Sequence, residues 1–322
     1  MLRVERAGAL AFERAYGRLG AAEDSDVEVT TRFDLASLTK VFVATAALEA
    51  AERGRIALDE PASVWFPEWR TGPHAAITPR MLLAHTSGMQ SGADYRTLLD
   101  CDVERFAREL PPAAAPGEKV IYSDLGFIAL GTLLAFAGDV SLGHVVDEMA
   151  WRRGLEATGF RPRNDDPQRF PSTEEDSWRG RVRGSVHDEK AHLMGGVAGH
   201  AGLFGTARDV AAIAEVFLGP TCGRSANGLA PALALEAISE QGSDAVLRRG
   251  LGWALKTSDE NSCGAAMSRA TFGHTGFTGT CVWADPARDL SVVLLTNAVY
   301  FGRRDLRDVR AAVCDAAVAE FG

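Results

Sequence analysis

Residues 37–53 read SLTKVFVATAALEAAER. The stretch is rich in Ala and Leu, holds no Gly or Pro, and stops at Gly54, a natural C-terminal cap, so its backbone favours a helix. The run 41–48 is apolar on nearly every side, which predicts a helix buried inside the molecule. Ser37 and Lys40 stand three residues apart and share one helical face. Ser37 also falls near the positive end of the helix dipole. A serine hydroxyl is a weak nucleophile until a neighbouring base takes its proton. A partly desolvated lysine suits that task, because burial disfavours its ammonium form. Ser-x-x-Lys alone is common, however, and reads more simply as a serine N-cap followed by an exposed lysine.

Outward from this helix, the two ends of the chain carry strand patterns. Residues 2–18 alternate loosely between apolar and charged around Gly8, which predicts a strand, a turn and a second strand. Segments 250–256, 278–286 and 290–297 read as strands, with DPARD a hairpin turn between the last two. Helices are predicted at 125–138, 141–154, from Thr206 as N-cap, within 224–247, and over 303–320. MLLAHTSG (81–88) reads as a helix end and a turn, and 161–190 as a long polar, irregular excursion. The expected architecture is a mixed α/β (α+β) fold. An antiparallel β-sheet is built from both chain termini and flanked by helices, with an inserted, mainly helical lobe. Residues 1–58 and 200–322 would form the sheet-and-helix domain and 59–199 the helical lobe, with a site in the cleft between them.

The chain has 322 residues, 46% hydrophobic and 24% charged, with a net charge of -9. That length buries a sizeable core without staples. The acidic balance argues against a nucleic-acid partner, which needs a basic face. No apolar run reaches the roughly 20 residues of a membrane span, and MLRVERAGAL has no signal-peptide pattern. Cys101, Cys222, Cys263, Cys281 and Cys314 are widely spaced and odd in number. Reduced thiols in a cytoplasm are expected rather than a disulfide framework or a zinc site.

Two further motifs bear on chemistry. Tyr122-Ser123-Asp124 precedes the helix at Leu125, where Ser123 or Asp124 also serves as an ordinary cap. Gly273-His274-Thr275-Gly276, followed by Phe277, is expected to open a strand whose glycines let backbone approach a ligand. In isolation it is a tight turn.

SLTK, YSD and HTG in this order resemble the serine β-lactamase and penicillin-binding-protein superfamily, in the branch of class C β-lactamases, D-aminopeptidases and related esterases. MLLAHTSGM (81–89), PGEKVIYSDLGFIALG (116–131) and AGLFGTARDVA (201–211) are also similar to it, so the likeness covers nearly the whole chain. Relatives usually carry a helix before the first strand, so this sequence is expected to begin inside that strand, near Leu2–Val4.

The resemblance implies an acyl-enzyme on Ser37, with Lys40 accepting or tuning its proton and Tyr122 as shared acid and base. The oxyanion donors would be the backbone N–H groups of Ser37 and Phe277. Asp124, His274, Thr275, Gly276 and Phe277 would contact substrate, an acyl compound that is small or peptide-like. No cofactor or metal is required. Asp124 stands where β-lactamases usually have Asn, and His274 where they usually have Lys. Losing that fixed cation weakens the case for a substrate carboxylate and favours esterases, aminopeptidase-like enzymes and amidases. The segment 186–202 is similar to one in members associated with muropeptide recycling, where the bond cut joins a lactyl-sugar to a peptide. Its plainer reading is a glycine-rich cleft wall with His187 and His200 as structural hydrogen-bonding residues. His187, Asp188, His192 and His200 as metal ligands are disfavoured, because their spacing matches no known site. His85 is expected to shape a turn, His144 to lie on the surface or satisfied in the core, and Trp65, Trp69 and Trp151 to lie in the core. A non-turnover acylating receptor and an acyltransferase are the other functional classes.

Overall fold

A computed structural model describes residues 1–21, 24–162, 166, 169–225, 228–244 and 246–322. The chain opens with the hairpin of β1 (Leu2–Arg6) and β2 (Ala9–Arg14). Ala7 and Gly8 turn it with φ of 53° and 72°. β3 (Phe33–Asp34) leads through one 3-10 turn, Ala36–Leu38, into α1 (Thr39–Glu52). Every residue of α1 from Thr39 to Glu49 is buried, as its composition predicts.

Helices then dominate: α2 (Pro79–Leu83), α3 (Val103–Glu109), α4 (Asp124–Gly138) and α5 (Leu142–Arg152). Ser123 Oγ caps α4 by accepting from Gly126 N at 2.9 Å. The short β4 (Gly159–Phe160) and the hairpin of β5 (Ser172–Asp176) and β6 (Gly180–Arg183) follow. After them come α6 (Glu189–Leu193), β7 (Leu203–Gly205), α7 (Ala207–Thr221) and α8 (Pro231–Ala237). Strands β8 (Gly242–Ser243), β9 (Arg248–Arg249), β10 (Ala254–Leu255), β11 (Phe272–Thr275), β12 (Cys281–Asp285) and β13 (Leu290–Leu294) precede α9 (Arg307–Phe321).

The main sheet has the order β2-β1-β13-β12-β11-β10-β9-β8. Its ladders are antiparallel, and Val4 opposite Val292 joins the first strand to the last. The sheet is therefore assembled from both termini, as expected. β3, β7 and β4 form a second sheet. Leu38 and Phe42 of α1, Phe127 and Leu130 of α4, Phe217 of α7, and Val282 and Val293 of the main sheet share one apolar cluster, and a second, with Val4, Trp283 and Val292, lies between the sheet and α9.

Several sequence expectations are corrected. The 161–190 excursion contains the β5–β6 hairpin, tied down by Arg181 and Arg183 on Asp24; its positions 163–165 and 167–168 lie outside the described residues. Within 224–247 only Pro231–Ala237 is helical, and 226, 227 and 245 lie outside the described residues. The predicted strand at 250–256 shrinks to Ala254–Leu255, because Gly252 turns with φ of 79° and packs against Ala44 of α1. His274 and Thr275 close β11 rather than open a strand. Trp69 is buried and Trp65 packs on the core, but Trp151 is 82% exposed. His144 is exposed.

Candidate active site

Ser37 owes its position to the turn before it. Ala36 adopts a φ of 46°, a left-handed conformation that a non-glycine residue holds only where its surroundings enforce it. Asp34 enforces it: the wholly buried carboxylate accepts from Ala36 N at 2.8 Å and from His187 N at 2.6 Å. Burial pushes the Asp34 carboxyl up to about 6, against the pull of those two donors.

Lys40, one turn into the helical segment, has no solvent-accessible side-chain surface. Its Nζ donates to Ser37 Oγ at 2.9 Å and to His200 O at 3.0 Å, and it pairs with Asp124 Oδ1 at 2.9 Å. It also stands 4.9 Å from the centre of the Tyr122 ring. Burial alone would lower its pKa, but Asp124 and Tyr122 outweigh it, and the net shift is upward. Lys40 is thus held as an ammonium group, whereas desolvation alone suggested a neutral amine.

Asp124 carries the arrangement further. Its other oxygen lies 3.4 Å from Lys190 Nζ, which pairs with Asp188 at 3.1 Å. Asp188 in turn bonds His200 Nε2 at 2.9 Å. The chain of contacts closes on itself, since the His200 carbonyl accepts from Lys40. Burial works against both carboxylates, yet Lys40 holds Asp124, and His200 holds Asp188, below the usual carboxylate range. Asp124, Asp188 and His200 present donor atoms within 4.8 Å of one another, a spacing that fits a metal ion. The Lys40 and Lys190 ammonium groups already neutralise those carboxylates. The four-residue metal set weighed from sequence is split: His187 stacks on Phe277 and His192 meets Trp178.

Tyr122 sits in the loop before α4. His85, itself at φ of 58°, holds that loop: its carbonyl accepts from Ile121 N at 2.8 Å and its Nδ1 from Ser123 N at 3.0 Å. Burial, with the nearby Arg249 and Lys40 charges, drives the His85 pKa well down, so the ring is neutral. His274 is likewise buried and neutral, and its Nδ1 meets Thr275 O at 2.9 Å.

The loop after β11 is stitched to the residues just before Ser37. Thr278 Oγ1 donates to Asp34 O at 3.0 Å and Thr280 Oγ1 to Leu35 O at 3.3 Å. Gly276 must be glycine, because a Cβ there would meet Thr280 Oγ1 and come within 2.8 Å of Leu35 O. Arg310 of α9 braces the same loop, donating to Gly276 O at 2.8 Å and Gly279 O at 3.2 Å. Ser37 and Phe277 are thereby brought to one cavity. Among the described residues neither backbone N–H is engaged with a protein carbonyl.

That cavity, about 890 Å³, is lined by Ser37, Tyr122, His274, Thr275, Gly276 and Phe277. Lys40 and Asp124 lie behind it. Sequence reasoning missed Asp34, Lys190, Arg249 and Arg310. The odd Asp124 was the one available signal for a second lysine nearby; the others stand in segments with no motif.

The beta-lactamase family model matches residues 2–316. An N-acetylmuramyl-L-alanine amidase of Bacillus subtilis (strain 168) is 28% identical, across 92% of this chain and 76% of that protein. A putative D-alanyl-D-alanine carboxypeptidase of Escherichia coli (strain K12) is 31% identical, across 83% and 69%. Among solved structures, EstCE1, a hydrolase with promiscuous acyltransferase activity, superposes with a TM-score of 0.76 at 24% identity, covering 97% of this chain and 92% of that one.

Proposed function

Since the chain belongs to the beta-lactamase family and is a serine hydrolase, we propose that it cleaves an ester or amide through an acyl-enzyme on Ser37. The observation that carries this reading is the 2.9 Å contact from the buried Lys40 ammonium to Ser37 Oγ at the wall of a cavity shared with Tyr122. Lys40 acts as a fixed cation that orients Oγ and stabilises negative charge as it develops. Tyr122 takes the serine proton as Oγ bonds the acyl carbon, then passes it to the departing alcohol or amine. Water attacks the acyl-enzyme by the same route in reverse, and Ser37 regains its proton. Such shuttling contributes about 10²–10⁴-fold. The Ser37 and Phe277 N–H groups hold the carbonyl oxygen during both steps, each worth about 10²–10³ in rate.

A fluorophosphonate is expected to label Ser37, and Ser37→Ala to abolish hydrolysis of p-nitrophenyl butyrate. Unchanged turnover in that variant would overturn the reading.

A second reading narrows the substrate to an amide in cell-wall peptides. It is favoured by the likeness to the Bacillus subtilis amidase and by the 186–202 segment, which supplies Asp188, Lys190 and His200 to the site. Release of the peptide from an N-acetylmuramyl peptide, lost in Ser37→Ala, would support it; intact muropeptide beside active ester hydrolysis would sink it.

A further inference from the structure

Arg303 stands between two cavities. It lines the one that holds Ser37, about 890 Å³, and a neighbouring one of about 370 Å³. Among the described residues no other residue lines both. The second cavity is walled by Asp94, Arg96, Glu174, Asp176, Glu189 and Lys190. Lys190 also belongs to the charge network behind Ser37, through Asp124 and Asp188, so the second space abuts the catalytic residues. We infer that Arg303 is a movable partition that sets how long a substrate can reach Ser37. Closed, it confines a compact acyl compound to the first cavity. Swung aside, it joins the two spaces and admits an extended, polar, peptide-like chain. The inference rests on Ser37 as the nucleophile.

The partition is weakly fastened. Arg303 Nη2 donates to both Glu174 oxygens at 3.0 Å and to Glu189 Oε1 at 3.1 Å. A nitrogen with a pair of hydrogens thus serves more acceptors than it can satisfy fully. The side chain is 52% exposed, and ion pairs in water contribute little and are screened by salt. Its guanidinium also lies 5.3 Å from the centre of the exposed Phe277 ring. Opening leaves the far wall standing, because Glu174 keeps a better-buried partner in Arg179 at 3.0 Å.

The second cavity selects the occupant by its chemistry. An alkyl chain there would strip water from carboxylates and a lysine without replacing the lost hydrogen bonds, which is costly. A peptide backbone carries donors and acceptors at every residue and replaces them.

The test uses uncharged thioesters on the full chain, so that salt acts on the protein alone. The compact substrate is S-acetyl-N-acetylcysteamine. One extended substrate carries N-acetylglycylglycyl as its acyl group; the other keeps the S-acetyl group and carries N-acetylglycylglycyl on the cysteamine nitrogen. Intrinsic reactivity cancels when the ratio of kcat/KM, extended over compact, is compared between enzymes or salt concentrations. For at least one extended substrate, Arg303→Ala is expected to raise that ratio about fivefold at low salt, the scale of an exposed ion pair. Raising NaCl from about 20 mM to about 500 mM should lift the wild-type ratio toward the same value and leave that of Arg303→Ala flat. Glu189→Gln, which loosens the fastening from the far side, should fall between. Wild-type ratios that ignore both salt and Arg303→Ala overturn the partition. An S-octanoyl thioester that gains as much as the peptide-like ones overturns the polar occupant. Fluorophosphonate labelling keeps the claims apart: labelled Ser37 with unmoved ratios sinks Arg303 alone, whereas unlabelled wild-type Ser37 sinks the acyl-enzyme reading.

Discussion

Single residues set the electrostatics of this site. Asp34 has a carboxyl raised to about 6 from 3.8. The folded state thus holds that proton more tightly than the unfolded chain does. Ionising Asp34 in the fold therefore costs stability, absent below about pH 4 and complete above about pH 6. A shift of this size corresponds to about 3 kcal/mol. Melting temperatures from pH 4 to 7 should show wild type losing stability relative to Asp34→Asn as pH rises; parallel curves would refute this. Lys40 is the opposite case, since Asp124 and Tyr122 together outweigh its burial. Asp124→Asn removes the larger of the two charges that oppose burial, so the ammonium pKa should fall. The alkaline limb of the kcat/KM profile should move down with it, and an unmoved limb would show that Lys40 is not held by Asp124.

At the scale of elements, close packing decides what approaches Ser37. Gly276→Ala sets a methyl against Thr280 Oγ1 and the Leu35 carbonyl. Moving the loop displaces the Phe277 N–H, so kcat should fall about 10²–10³-fold with folding intact. α1 is clamped to α5 by Glu49, buried at 2% exposure, which pairs with Arg153 at 2.7 Å, Arg152 at 2.6 Å and Arg53 at 3.1 Å. Glu49→Ala removes the buried carboxylate that Arg152 and Arg153 share and should cost about 3–5 kcal/mol in a denaturant titration. α5 also explains a sequence misreading. Its buried stripe runs through Leu142, Val146 and Met149. Trp151 follows Leu142 by nine residues at roughly 100° each, half a turn round, and so faces water.

Across the whole molecule, one apolar cluster joins α1, α4, α7 and the main sheet. Strands from both termini close the same sheet. Among the described residues, the buried apolar side chains of α2 to α5 belong to that same cluster. Circular dichroism and the intrinsic fluorescence of the buried Trp69, Trp253 and Trp283 should therefore report one coincident unfolding transition. Two resolved transitions would show that the helical lobe folds independently.

The buried helix, the strand-rich ends, the three motifs and hence the family are legible in the chain alone, because periodicity, caps and short spacings are local physics. The chain also marks Ser37 and Lys40 as neighbours, since they lie one turn apart. The charge state of Lys40 follows from the fold, because it depends on Asp124 reaching it from another helix. The same holds for Asp34 beneath the Ser37 turn, for the Asp188–His200 contact behind it, and for Arg249 in the cavity wall. These groups are distant in the chain, and burial, counter-charge and desolvation act only between groups the fold has brought together.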